Sequence, residues 1–409
     1  MGMSGAGVGS SGRRSASGGA LLLAILFLGY AVYALDRTVL TSMISTVAKS
    51  LNLDSTQLGL LTSAVYIGVL ATVFAAGHLS DRYGARKIII VGVSIFTAFT
   101  WLIGFSTNFY EAFTFRLISG LGEGIFWPVA MSAVANYFGM NKGRALGIFY
   151  VGFDAGSAIG SSVGGTTLSL TSDWHYAFFV APLIGIAVVA GAFFAKGTFD
   201  EANGKVGSIA MGKDVLDLLK RRQVVVMMAF ALLATWASSW QVNYLSYYFS
   251  GVKGLSAPLA AFVMSPVAIS GGVGKVLLGN ASDRWRRNRM LVVLSAAVVA
   301  LYAMFFSASN IYVSTAIVLA IGFTSSAVFP IMQSLMCDSC DGRTGSALGL
   351  TTTAQSVATV LAPNTTAQML AAFGKAGAIA YNTVIPAALA VCVALLLKDA
   401  WRERPRPQA

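Results

Sequence analysis

Two stretches decide the fold: GHLSDRYGARK at 77–87 and GNASDRWRRNR at 279–289. An offset of 202 residues pairs Gly77 with Gly279, Ser80–Asp81–Arg82 with Ser282–Asp283–Arg284, and Lys87 with Arg289. The same offset pairs Pro128 with Pro330 and Ala145–Leu146–Gly147 with Ala347–Leu348–Gly349. One offset kept over some 70 residues marks a duplicated unit, so the chain reads as two similar halves. The second copy is degraded and lacks the second glycine of the first, Gly84.

Around these copies the chain is apolar. Of its 409 residues, 56% are hydrophobic and 11% charged, and the mean hydropathy is +0.72. A water-facing domain carries about 25% charged residues, so this exterior is built for lipid. Runs long enough to cross a hydrocarbon core of about 30 Å recur along the length. They predict an all-α membrane protein with twelve transmembrane helices. The first six lie near 19–47, 56–80, 86–106, 109–136, 143–170 and 174–196. The second six lie near 222–250, 257–281, 288–308, 311–337, 344–372 and 377–398. Helices are required because backbone in lipid must satisfy its own hydrogen bonds. The expected domains are a disordered N-terminus at 1–18, two pseudo-symmetric six-helix bundles at 19–196 and 222–398, a polar linker at 197–221 and a tail at 399–409.

The net charge of +12 invites a nucleic-acid reading, but the positions of the charges argue against it. Of 28 Lys and Arg residues, 22 fall in the termini and the even-to-odd connections. Three (Lys49, Lys253, Lys375) lie in the opposite loops, and three (Arg37, Arg116, Lys275) lie inside helices. Basic loops stay on the cytoplasmic side, which places both termini and the linker there. The basicity expresses topology, and no nucleic-acid partner is expected. The Gly- and Ser-rich start with Arg13–Arg14 resembles an export signal. The helix after it is too long and too charged for one, so it reads as an anchor flank. Three cysteines are too few for a disulfide framework, and the lone CxxC of Cys337 and Cys340 has no second ligand pair. GGVGK at 271–275 is not a phosphate-binding loop, because Ile269 stands where the first glycine is needed. His78 and His175 have no partner cluster in the sequence.

The informative residues are charges inside the apolar runs. Asp36 and Arg37 stand together in AVYALDRTVL (31–40), Glu123 lies mid-helix in the fourth run, and Asp154 in the fifth. Set against Arg37, Arg116 and Lys275, the interior charge balances at three and three. Ionisable groups at such depth face a bundle interior or a water-filled cavity and mark relays or substrate sites; the competing reading is a static network that ties helices together. In RLISGLGEGIFWP (116–128), Arg116, Gly120 and Glu123 share one helix face. The helical rise separates Arg116 from Glu123 by about 10 Å, too far for a simple fixed pair. Asp81 among Arg82, Arg86 and Lys87 forms a charge cluster able to latch one bundle to the other. Tyr33, Tyr66, Tyr150, Tyr244 and Gln355 are candidate cavity-lining residues, with ordinary packing as the alternative for each.

GHLSDRYGARK resembles the signature loop between helices 2 and 3 of the major facilitator superfamily, and the likeness extends over nearly the whole chain. It implies two helical bundles around a central cavity that opens alternately to either side, with no enzymatic activity and no cofactor. The conformational latch is then Gly77, Asp81, Arg82, Gly84, Arg86 and Lys87, with Asp283 and Arg284 in the second half. The Asp36–Arg37 pair with R-x-x-x-G-x-x-E-G-x-x-[FWY]-P at 116–128 is similar to the organic anion:proton symporters, such as sialin and the galactonate and hexuronate transporters. WQVNYL (240–245) resembles that branch's W-x-P-x-Y-L, although Val242 replaces the proline. That resemblance implies that Arg37 contacts the substrate carboxylate while Asp36 and Glu123 carry protons. Lys275 in GGVGKVLLGNASDR resembles a carboxylate-binding basic residue of oxalate/formate-type and monocarboxylate transporters; snorkelling toward the cytoplasm is its alternative. Arg116 and Asp154 complete the expected proton-coupling set, with the role of Asp154 left open.

The expected function is proton-coupled symport of an organic anion, a carboxylate or sugar acid, by a monomer in the cell's inner (plasma) membrane. GRALGIFYVGFDAGSAIG (143–160) with the helix-1 Asp-Arg and GLGEG also resembles Spinster-type transporters, which implies a lysolipid or other amphipathic substrate instead. A receptor or membrane enzyme finds no nucleophile–base arrangement, metal cluster or sensor domain in the sequence.

Overall fold

A computed structural model describes residues 16–138, 142–180, 182–202, 217–284, 286–338 and 344–400. The termini and most of the linker (203–216) lie outside these, as does Cys340 with the side chain of Cys337. Among the described residues every regular element is a helix. The first half holds α1 (Ala16–Ser42), α2 (Ile44–Ser50), α3 (Ser55–Tyr83), α4 (Ala85–Ile103) and α5 (Phe109–Phe138). It continues with α6 (Lys142–Thr171), α7 (His175–Val180), α8 (Leu183–Phe194) and α9 (Lys196–Ala202). The second half holds α10 (Arg222–Asn243), α11 (Leu245–Gly251), α12 (Ala257–Phe262), α13 (Met264–Arg284), α14 (Arg287–Ser307), α15 (Ile311–Asp338) and α16 (Thr344–Ala400).

Among the described residues, eleven helical segments are long and apolar enough to cross a membrane, and the stretch 344–372 is not one of them. Thr351–Thr353, Gln355, Ser356 and Asn364–Thr366 dilute its apolar character. It forms the first arm of α16, which turns at Gly374 (φ 67°, ψ 175°) into the apolar second arm. Some runs read from sequence as single helices are broken. The run near 257–281 divides at Val263 into α12 and α13, because Pro266 has no N–H to give the carbonyl of Phe262. The run near 222–250 divides at Tyr244.

The signature loop shows why its second glycine matters. Gly84 joins α3 to α4 at φ 85°, a left-handed angle that costs glycine nothing, and its N–H caps α3 by bonding Ser80 O. At the equivalent place Arg286 opens α14 with φ −68° and ψ 110°, so this position in the degraded copy is not left-handed. At the other end of α3, Asp54 and Gln57 form a reciprocal capping box.

Packing within each half is close. Gly152, Gly156, Gly160 and Gly164 form a stripe on α6 that lies against Phe27, Ala31, Leu35 and Ser42 of α1. A Cβ at Gly156 would overlap the carbonyl of Ala31, so the two backbones touch without side chains between them. Gly156→Val should therefore separate α1 from α6 and lower the yield of monodisperse protein in detergent at least tenfold; wild-type yield and melting temperature would contradict this packing.

The halves meet along two seams, α3 with α16 and α6 with α12 and α13. At the end away from the Gly84 turn one buried core spans both halves, joining Val39, Met43, Val47 and Leu61 to Trp240, Tyr244 and Tyr248. Toward the Gly84 end the cores are separate, one around Phe126 and Val134 of the first half and one around Met332 and Leu335 of the second. Among the described residues the buried apolar core is thus shared between the halves at one end and separate in each half at the other.

Candidate functional site

The α1–α6 glycine contact and the packing of Gly120 of α5 against Val65 of α3 bring the interior charges together. They resolve into three ion pairs. Arg37 donates from Nε to Glu123 Oε2 at 2.7 Å, and its Nη2 lies 2.6 Å from the same oxygen. Arg116 Nη1 lies 3.0 Å from Asp36 Oδ2. Lys275 Nζ donates to both oxygens of Asp154, at 2.8 and 2.9 Å. Arg116 and Glu123, on one face of α5, are not partners. Each reaches one member of the adjacent Asp36–Arg37 pair on α1.

The pairs differ in construction. Arg116–Asp36 is sealed, each side chain 1% exposed. Arg116 also donates to the carbonyl of Asp36 at 2.9 Å and, more weakly, to that of Arg37 at 3.4 Å. Asp36 accepts from Ser119 at 2.8 Å and from Thr100. Backbone carbonyls and hydroxyls make this pair a scaffold that fixes α1 on α4 and α5. Arg37–Glu123 is less complete. Glu123 is fully buried, yet its Oε1 has no hydrogen-bond partner, and a buried acceptor without a donor is costly. The Arg37 guanidinium lies 4.1 Å from the Tyr33 ring centre and 4.8 Å from that of Tyr66, so aromatic faces supply the rest of its surroundings. Lys275–Asp154 is the most open pair, with side chains 21% and 9% exposed, and it crosses from α13 to α6 between the halves. Lys275 also lies 5.6 Å from the Phe153 ring centre.

The other expected residues scatter. Tyr150 is half-buried and donates to Met131 Sδ, near Tyr30. Tyr244 is fully buried and donates to Pro363 O, tying α10 to α16. Gln355 is half-buried on α16. In the signature loop Arg86 stays within the first half, donating to the carbonyls of Ala192 and Phe193 at the end of α8. A cation suits that position, where helix carbonyls are left unpaired. Arg82 and Lys87 are exposed, while the side-chain environments at Gly77, His78, Asp81, Asp283 and Arg284 lie outside the described residues. His175 pairs with Asp173 at 2.5 Å. Burial opposes ionisation of Asp173, but hydrogen bonds from the His175 backbone and ring outweigh it and hold the carboxyl below its usual range.

Sequence reasoning missed Thr100, Ser119 and Phe153. Ser119 stands three residues after Arg116 and four before Glu123, so the helical face that singled out those two contains it as well. Thr100 sits among apolar neighbours, and Phe153, although next to Asp154, is one apolar aromatic among many, so neither carries such a signal.

A sequence model described as the Major Facilitator Superfamily matches residues 26–363. Protein spinster of Drosophila melanogaster is 26% identical over 250 residues, which is 60% of this chain and 41% of that protein. The chain thus spans less than half the length of that relative. The hexuronate transporter of Bacillus subtilis (strain 168) is 26% identical over 297 residues, 70% of each chain. The inward-facing, unoccupied structure of a bacterial homolog to the human lysosomal transporter Spinster has the same fold, with a TM-score of 0.79 at 18% identity over 96% of this chain and 100% of that one.

Proposed function

Because the chain belongs to the Major Facilitator Superfamily, whose members are membrane transporters and not enzymes, we propose that it carries an organic anion together with protons. The substrate is a carboxylate or sugar acid, the chemistry named for the hexuronate transporter it resembles. The carrying observation is the Arg37–Glu123 pair. A buried guanidinium is held by one carboxylate whose second oxygen has no donor. A proton on Glu123 removes the charge that holds Arg37, and a substrate carboxylate then takes the vacated guanidinium face. Arg presents a planar fork that binds carboxylate through two parallel bonds, which a lysine cannot copy. Asp36 and Arg116 hold α1 in register beside this exchange, and Asp154 supplies a further protonatable group next to Lys275.

In this reading twelve spans form two six-helix bundles with both termini cytoplasmic, because the basic loops lie on that side. The shared core then closes the outer face and the divided cores leave the cytoplasmic face apart. The loaded carrier, with its charges paired, rocks between this state and its opposite; the proton gradient replaces any cofactor. The protein acts as a monomer in the inner (plasma) membrane.

The test is binding. Arg37→Lys should weaken sugar-acid affinity in detergent at least tenfold, read by quenching of intrinsic tryptophan fluorescence. Unchanged affinity would remove Arg37 from the substrate role.

A second reading, transport of a lysolipid or other amphipathic molecule, is favoured by one observation. A groove of about 610 Å³ between α6 and α13 is lined by Ile159, Leu170, Tyr176 and Ile269, all exposed. Competition of sugar-acid binding by lysolipid distinguishes the two.

A further inference from the structure

We propose that Ser63 and Ser265 are twin clasps that hold the halves together at the shared-core end and let go when that end opens, whichever substrate is carried. The 202-residue offset that pairs the signature loops also pairs Ser63 with Ser265, Ala158 with Val360 and Ser162 with Asn364. The structure builds the same hydrogen-bonded unit from these residues on both seams. Between α3 and α16, Ser63 Oγ donates to Val360 O at 3.1 Å and accepts from Asn364 Nδ2 at 2.7 Å. Between α13 and α6, Ser265 Oγ donates to Ala158 O at 3.0 Å, with Ser162 Oγ 2.9 Å away. A hydroxyl has one hydrogen, so Ser265, which gives its own to the carbonyl, accepts from Ser162 as Ser63 accepts from Asn364. Positions 162 and 364 carry different side chains, and the bond is made in both.

The bonds serve the association of the halves and not the folding of either. Val360 and Ala158 lie inside helices, where the N–H four residues on already bonds each carbonyl. Each serine takes the second lone pair, so its loss leaves both helices intact. Asn364 Nδ2 also donates to Val360 O at 2.8 Å, so removing the Ser63 hydroxyl strands no amide. Close approach on each seam depends on a glycine. A Cβ at Gly59 would sit 2.8 Å from Ala367 Cβ, and one at Gly165 would sit 2.9 Å from the Phe262 ring.

Opening the shared-core end parts the helices that these serines join. Hydrogen bonds of this length fail steeply with distance, so both clasps break. They share no residue, and contributions from separate sites add as free energies and multiply as populations. One neutral hydrogen bond is worth about fivefold in an equilibrium.

Spin labels read that equilibrium without substrate. Ser50 and Ser309 are exposed at the shared-core end on opposite halves. Ser50→Cys and Ser309→Cys carry the labels, in a full-length chain with Cys337, Cys340 and Cys392 changed to Ser. Double electron–electron resonance in lipid nanodiscs measures the distance between them. The ratio of longer to shorter distances should rise about fivefold in Ser63→Ala, about fivefold in Ser265→Ala and about 25-fold in the double variant. Asn364→Ala with Ser162→Ala removes the donors to both serines and should move the ratio in the same direction, so the test stands if the serine pair does not fold. An unchanged ratio in the double variants would overturn the proposal, because the bonds would then persist in both states. A shift from one serine alone would overturn the twin relation. Failure of both double variants to fold would also overturn it, since the bonds would then belong to the fold.

Discussion

Glu123→Gln should reduce proton-driven substrate accumulation to the level of empty liposomes while sparing counterflow exchange. Glu123 is fully buried, holds Arg37 through one oxygen and leaves the other without a donor. A permanently neutral amide at this place mimics the protonated carrier. It no longer competes with the substrate for Arg37, so loading and reorientation with bound substrate continue on both faces. What disappears is the link between proton and substrate, because no proton leaves when the empty carrier returns. Exchange of labelled for unlabelled sugar acid measures the first process, and accumulation under an imposed pH gradient measures the second. Loss of both would mean that Glu123 binds substrate or supports the fold; retention of both would place the coupling proton elsewhere.

The largest effect on stability is expected at Arg116. Removing one partner of a buried ion pair costs about 3–5 kcal/mol, because the other charge stays buried without compensation. Arg116→Met leaves Asp36, 1% exposed, with only the hydroxyls of Thr100 and Ser119, and it also strips donors from the carbonyls of Asp36 and Arg37. The variant should melt well below the wild type in detergent. Arg116→Met with Asp36→Asn should recover part of the loss, since no net charge is then stranded. A single variant as stable as the wild type would show that the pair is not the scaffold its geometry indicates. Lys275→Gln, at the most exposed of the three pairs, should cost far less.

The architecture was readable because its signals are local or periodic. The 202-residue offset announced two halves, and the structure adds that Gly84, the glycine missing from the second copy, joins α3 to α4 at a positive φ. Run length found nearly every membrane helix. The run at 344–372 is a helix as read, but Ser, Thr, Gln and Asn leave it outside the eleven segments apolar enough to cross; the break near Val263, at Pro266, was not read. The six interior charges were equally plain, since charge in an apolar run is costly. Their pairing was not. Which side chain meets which depends on the rotation of α1 against α5, and the Asp154–Lys275 pair depends on how one half sits on the other. No spacing along the chain encodes that. Even so, the helical rise correctly excluded an Arg116–Glu123 pair before any partner was known.

The central claim is that a proton gradient drives an organic anion through this chain. The most direct test is uptake of radiolabelled galacturonate and galactarate into proteoliposomes at equal substrate concentration, with and without an inward proton gradient. The account predicts transient accumulation above equilibrium that collapses when a protonophore is added. Uptake that never exceeds equilibrium, or that ignores the protonophore, would contradict it.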